Sequence, residues 1–265
     1  MQQIKDGARM IWSLGDYRLT AAFLQPDAQE LAERCGIRPG IAVLDVAAGT
    51  GNFAAAAARL GGRVVATDLT PRMVEWGMQR TSDEGLDVEW READAEALPF
   101  DDGSFEVVAS TFGAQFAPQP ELVAAAMFRV LRPGGLTAMA NWTAEGFSGR
   151  LTALTTTYAP PSPLKLPSPM EWGDPGQVRR RLEPFAASVE TERRRARFTF
   201  ASVEVAQQFF EQTNPALLVL SRMLPQARYD ELVTAARSLV GQFSEPAEGG
   251  VLLENEYLTV LARKS

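Results

Sequence analysis

The chain has 265 residues, 46% hydrophobic, 22% charged and 9% aromatic, enough for one large α/β domain with a cap or for two small domains. Its 26 Lys and Arg against 33 Asp and Glu give a net charge of −7, which repels phosphate backbones and makes nucleic acid a poor partner. Cys35 is the only cysteine and histidine is absent, which excludes an intramolecular disulfide, Ser-His-Asp or Cys-His catalysis and a histidine base, and leaves no metal site expected.

Met1 to Ile11 carries Lys5, Asp6 and Arg9 and lacks the apolar core of a signal peptide, and no window of roughly 18 uncharged apolar residues occurs. A cytoplasmic protein with no membrane partner is expected. Residues 2 to about 36 predict two amphipathic helices broken at Gly15-Asp16, and Arg38-Pro39-Gly40 predicts a turn. The apolar run Ile41 to Val46 then suits a buried strand. The alanines of 53–60 suit a helix closed by Gly61-Gly62. Arg63 to Asp68 predicts a second strand, and Thr70-Pro71 opens a helix as N-cap and first helical residue.

Asp87 to Arg91 predicts a third strand, Phe105 to Ser110 a fourth and Leu136 to Trp142 a fifth. Between the last two lies a helix, Glu121 to Leu131, with Leu122, Val123, Ala126, Met127, Val130 and Leu131 on one face, and then a turn at Arg132 to Gly135. Five alternations of strand and helix predict a mostly parallel, doubly wound sheet. Beyond Trp142 the rhythm breaks. A helix over 147–158, a proline-rich loop over 159–169, a helix at about 175–184 and a strand near 189–200 are expected. Residues 202–241 read as helices interrupted at Asn214-Pro215 and Pro225, and Val251 to Ala262 as the last strand.

The strongest motif is Val43-Leu-Asp45-Val-Ala47-Ala-Gly49-Thr-Gly51-Asn52, in which a strand turns through glycines straight into a helix. Glycines let a ligand lie against bare backbone, and the helix start offers unpaired N–H groups to it. Asp68 ends the next strand, 19 residues after Gly49, where a carboxylate can accept ribose hydroxyls. Gly49-x-Gly51-x-x-Ala54 also satisfies the dinucleotide fingerprint, so the loop alone does not separate NAD from S-adenosylmethionine.

With Asp94-Ala95, Leu98-Pro-Phe100, Phe105-Glu-Val-Val108 and Leu131-Arg-Pro-Gly-Gly135, the set resembles the class I S-adenosylmethionine-dependent methyltransferases related to ubiquinone and menaquinone biosynthesis. The motifs occur in the expected order over about residues 40–142. Trp12 and Gly15-Asp16-Tyr17 resemble the opening helix of such proteins, and Tyr17 joins the expected cofactor residues. The resemblance implies a seven-stranded Rossmann-like sheet of order 3-2-1-4-5-7-6, antiparallel at the last strand, with a helical cap. It implies that Gly49 and Gly51, with Ala47 beside them, cradle the methionyl part, that Asp45 orients the loop and that Asp68 binds the ribose. Leu69 and Met73 would pack on adenine, Asp94 and Ala95 would meet its edge, and Ser110 would sit beside the reactive methyl. Ala47 stands where many relatives have glycine.

The implied layout has residues 1–36 over the cofactor and 37–143, 174–200 and 247–265 as the core. Residues 144–173 and 201–246 make the cap. The expected reaction is methyl transfer to a small molecule, through acidic oxygen, carbon, sulfur or an amine, yielding S-adenosylhomocysteine. A scaffold or cyclase that retains the cofactor without transferring methyl, and a NAD-linked oxidoreductase, are the alternatives. No catalytic residue and no oligomeric state is legible. Phe112, Gln115, Phe116, Trp142 and Tyr158 are the candidate acceptor contacts, at the carboxyl ends of strands and on the cap, where Trp172, Phe209, Phe210 and Asn214 are also expected. The runs Arg179 to Arg181 and Arg193 to Arg195 read as solvated faces, or as a hold on an anionic substrate.

Overall fold

The computed structural model describes residues 1–161 and 164–265; Ser162 and Pro163, within the expected proline-rich loop, lie outside the described residues. Helices α1 (Gln2–Trp12) and α2 (Tyr17–Arg34) meet at Gly15, whose φ of +67° suits glycine, and the Asp16 side chain caps α2 by accepting from Arg18 N. There follow β1 (Ala42–Val46), α3 (Asn52–Arg59), β2 (Arg63–Asp68), α4 (Pro71–Asp83), β3 (Val88–Glu92), β4 (Phe105–Thr111), α5 (Pro120–Val130) and β5 (Leu131–Trp142). The second half adds α6 (Phe147–Tyr158), α7 (Pro175–Leu182), β6 (Ala186–Phe200), α8 (Val203–Thr213), α9 (Pro215–Met223), α10 (Gln226–Phe243), β7 (Ser244–Ala247) and β8 (Gly250–Lys264).

The strands lie in the order β3-β2-β1-β4-β5-β8-β6. The first five are mutually parallel, and β8 runs antiparallel to both its neighbours. This is the expected seven-strand path, with one correction: the sheet has eight strands. Glu248-Gly249 turns β7 back onto β8 as a hairpin, with φ +77° at Gly249. Pro246 inside β7 hid that strand, because proline reads as a break.

Residues alternate between the two faces of the sheet, so neighbours enter different cores. Val43, Ala109, Trp142 and Phe198 pack with α2, α3 and the helices α6, α8, α9 and α10. Leu44, Val108, Met139 and Val260 pack with α5 and α7. Two local expectations are corrected. Leu122 is 46% exposed, because α5 starts at Pro120 and buries Val123 and Met127 instead. Residues 131–135 belong to β5, Leu131 facing Phe105 across a bulge, rather than to a free turn. Thr70 and Pro71 open α4 as N-cap and first helical residue, and Asp68 Oδ1 accepts from the Thr70 N–H. Among the described residues no helix is long and apolar enough to cross a membrane.

Gly77 lets α4 lie against the face of Trp90, since a Cβ there would come within 2.0 Å of the indole ring, whose Nε1 donates to Thr81. Gly77→Ala is expected to destabilise the fold by about 1–3 kcal/mol through overpacking. A urea midpoint at or above that of the parent chain, with an unchanged slope, would refute this packing.

Candidate cofactor and acceptor site

At the carboxyl end of the parallel strands, the loop after β1 is bound to the end of β2. Asp68 accepts from Gly49 N through Oδ2 at 2.8 Å and from Thr70 N through Oδ1 at 2.9 Å. Burial pushes its carboxyl up, while those N–H groups pull it down. Gly49 has φ +56°, and a Cβ there would come 3.0 Å from the Tyr17 ring. Asp45 lies beneath the loop, fully buried, with Oδ2 accepting from Ala54 N at 3.0 Å in the first turn of α3 and Oδ1 without a partner. Gly51 faces another way. It caps α3 at φ +80°, and a Cβ there would strike Trp90, so its smallness serves the turn rather than a cavity wall.

Above this loop lies a cavity of about 90 Å³. Tyr17, Ala47, Gly49, Asp68, Leu69, Met73, Asp94 and Ala95 all line it, so the loop and the two carboxylates meet at one cavity. Asp45, Gly51 and Ser110 do not line it. The Ser110 position is a correction: its hydroxyl accepts from Ala114 N at 2.9 Å, and as the next residue after Ala109 it lies on the sheet face packed by α5. Sequence reasoning missed Lys5. Helix α1 brings its ammonium 2.5 Å from Asp94 Oδ2 and 2.5 Å from Glu96 Oε2, closing the adjoining wall. One sign was available, since Lys5 recurs with Ala8 and Trp12 at helical spacing.

A second cavity, of about 300 Å³, lies under the cap and shares Trp12, Tyr17, Phe112 and Phe116 with the first. Phe112 and Trp142 stack there with centroids 4.0 Å apart, and Phe112 has φ +58°, a strained conformation for a bulky residue. Phe112, Phe116 and Trp142 line this cavity; Gln115 and Tyr158 do not. Gln115 is buried and its Oε1 accepts from Trp142 N, so it fixes the end of β5. Tyr158 packs beneath the Arg228 guanidinium, 4.4 Å from the ring centre. Phe210 and Asn214 reach the cavity, whereas Trp172 is buried on the opposite face beneath Arg181. Phe147, Phe198 and Asn255 also line it and were not singled out, although the alternation Leu253, Asn255, Tyr257 already turns Asn255 inward.

A doubly wound sheet in this order, with a glycine loop and two carboxylates facing one cavity at its carboxyl edge, defines a Rossmann-like nucleoside-binding protein. Residues 44–139 match the methyltransferase domain family. An uncharacterised protein of Mycobacterium tuberculosis is 36% identical over 262 residues, covering 97% of this chain and 93% of the relative. The ubiquinone/menaquinone biosynthesis C-methyltransferase of Teredinibacter turnerae is 41% identical over 108 residues, 39% of this chain and 43% of that protein. The solved structure of a Bacillus halodurans protein described as a methyltransferase superposes with a TM-score of 0.61 at 21% identity, covering 90% and 99% of the two chains. Over residues 44–139 the chain belongs to the methyltransferase domain family, and over nearly its whole length it shares a family with the Mycobacterium tuberculosis protein; the cofactor that this family implies is S-adenosylmethionine. The residues present fit that group: Gly49 leaves backbone bare, Leu69, Met73 and Ala95 give apolar walls, and Asp68 and Asp94 supply acceptors.

Burial pushes the Asp45 carboxyl from 3.8 up to about 8, against the Ala54 N–H, and the Asp68 charge adds to the rise. A folded-state value above the unfolded one means that unfolding releases a proton. This group therefore subtracts stability as pH rises from 3.8 towards about 8. Asp27, raised to about 6 chiefly by burial, acts in the same direction. Asp45→Asn is expected to lose less stability than the parent between about pH 5 and about pH 8. Parallel urea-midpoint curves for the two proteins would contradict it.

Proposed function

We propose that the smaller cavity holds the adenosyl group and the larger one the methyl acceptor, a small molecule. The observation that carries this reading is their common wall of Trp12, Tyr17, Phe112 and Phe116, across which a methyl group could pass. When bound, S-adenosylmethionine supplies a methyl group already activated on a cationic sulfur. Gly49 meets the methionyl end, Asp68 accepts from the ribose, Leu69 and Met73 hold the adenine faces, and Asp94 and Ala95 meet its edge. Asp45 and Gly51 support the loop from behind. On this reading residues 1–36 cover the cofactor, 37–143 with 174–200 and 247–265 form the core, and 144–173 with 201–246 close over the acceptor.

The acceptor's nucleophilic atom gives up its own proton to a water molecule, not to a side chain. Among the described residues no carboxylate, ammonium or guanidinium lines the larger cavity, and Tyr17 is its only titratable wall. Burial raises the Tyr17 phenol, with the Asp68 and Asp45 charges adding to the rise, so it remains protonated. The site therefore acts by alignment and by excluding water, and alignment alone can remove roughly 7–11 kcal/mol of a barrier. Acidic oxygen, carbon or sulfur nucleophiles and unprotonated amines suit it.

Asp68→Asn is expected to weaken S-adenosylhomocysteine binding by about 1.5–3 kcal/mol, roughly 10- to 150-fold in Kd, by calorimetry. Unchanged affinity would remove Asp68 from the site. Methyl-labelled cofactor incubated with a panel of phenolic acceptors should pass its label on. Label kept on the cofactor while an acceptor is otherwise converted would identify a cyclase instead.

A further inference from the structure

The lining of the larger cavity discriminates by charge. That lining is mostly aromatic and aliphatic, with hydroxyls and amides at Ser148, Thr152, Thr155, Thr213, Asn214 and Asn255 and no ionic side chain among the described residues. A carboxylate, phosphate or ammonium placed there would lose its hydration with no opposite charge to replace it. The arginines that might have served an anion are committed elsewhere. Arg193 pairs with Glu256 and Glu145, Arg194 with Glu30, and Arg195 with Glu254, on the strand β6. Arg181 lies over Trp172 and pairs with Glu121 and Glu171 on the other face of the sheet.

Two of the cavity's polar groups have a definite sense. Asn214 Oδ1 accepts from Ala216 N and Leu217 N at the start of α9, which leaves its amide N–H groups without a protein partner among the described residues. Asn255, 2% exposed, locks onto Ser148, its Oδ1 accepting from Ser148 N at 3.0 Å and its Nδ2 donating to the hydroxyl at 2.7 Å. That second bond fills an acceptor position of the Ser148 oxygen and leaves the hydroxyl proton to be donated. The cavity thus offers donors at Asn214 and Ser148, while the Thr152, Thr155 and Thr213 hydroxyls already donate to carbonyls of their own helices.

We infer that the acceptor is an uncharged, flat and largely apolar molecule that carries a neutral oxygen, carbonyl or hydroxyl. The stacked pair Phe112 and Trp142 receives the flat body. The donors of Asn214 and Ser148 receive the oxygen. This names the acceptor class for the site proposed above and rests on that reading.

Three probes of one shape test it by calorimetry at neutral pH on protein saturated with S-adenosylhomocysteine, which fills the smaller cavity. Naphthol is neutral, naphthoate anionic and naphthylmethylamine cationic. Naphthol is expected to bind at least roughly tenfold more tightly than either charged probe. Thr152, half-buried on the cavity wall, bonds only to its own helix, to Ser148 O. Thr152→Arg is expected to keep S-adenosylhomocysteine binding and to gain naphthoate affinity by a similar factor. Naphthoate or the ammonium binding the parent as well as naphthol does, or no gain in a Thr152→Arg protein that still binds S-adenosylhomocysteine, would overturn the inference and leave the cofactor site standing. Loss of S-adenosylhomocysteine binding by the parent would instead sink the function proposed above. Should Thr152→Arg not fold, the ranking of probes on the parent decides alone.

Discussion

The bond from Gly49 N to Asp68 Oδ2 is the constraint on which the site depends. β1 and β2 are parallel neighbours in register, so Val46 sits opposite Thr67 and both strands deliver their next residues at one edge. There the chain after β1 must turn through glycine, and a turn of bare backbone has many conformations in water. The Asp68 carboxylate selects one of them by accepting from Gly49 with one oxygen and from Thr70 with the other. A single buried side chain thereby sets the loop after β1 and the start of α4 together. The Ala48 N–H adds a second tie, donating to Thr67 O at 2.8 Å. Asp45 anchors the same turn from below through Ala54 N.

Once that edge is fixed, the two cavities differ in kind because different parts of the chain close them. Around the smaller cavity the walls come largely from strand ends and carry Asp68 and Asp94. Under the cap the walls come from helices whose inward residues are aromatic or aliphatic, such as Phe147, Leu151 and Phe210. The acidic character of the chain is kept away from the second cavity. Glu30, Glu192, Glu254 and Glu256 face the arginines of β6 across the outer surface, mostly at partly exposed positions where such pairs are individually worth little. Charge on the outer surface and neutrality inside are thus compatible in one acidic protein.

The sheet was legible because its central parallel strands are buried on both faces and read as short apolar runs with a polar residue at or near the end. Asp45 lies within one such run and Asp68 ends another. The interruptions at Asn214-Pro215 and Pro225 were equally plain, since Asn214 caps α9 and Pro225 precedes α10. What stayed hidden was orientation. Ser110 and Gln115 have the right sequence position and the wrong facing, and only the pleat and the short turn at 114–116 decide that. Tyr158 ends α6 too far round to reach the cavity that Leu151 and Thr155 enter. Lys5 was hidden for a different reason: its partners Asp94 and Glu96 are some ninety residues away, and no local pattern announces an ion pair at that separation.

That ion pair bears on how the site is entered. Helix α1 has no buried residue, yet Ala8 and Trp12 form walls of both cavities. It is held by Lys5 on Asp94 and Glu96, by Arg9 on the Leu69 carbonyl and by Arg72 reaching the Ser13 carbonyl. Apolar burial would resist opening wherever the helix went, whereas these polar contacts can be exchanged for water at small net cost. Segments with few buried apolar contacts sit at the low end of local stability, so α1 opens more readily than any strand beneath it. Trp12 is the exception that ties the helix back. Its ring meets Phe116 at 5.1 Å and Tyr17 at 6.0 Å, on the wall the two cavities share. The attachment of α1 is therefore weakest along its charged contacts and firmest at Trp12, on the wall the two cavities share.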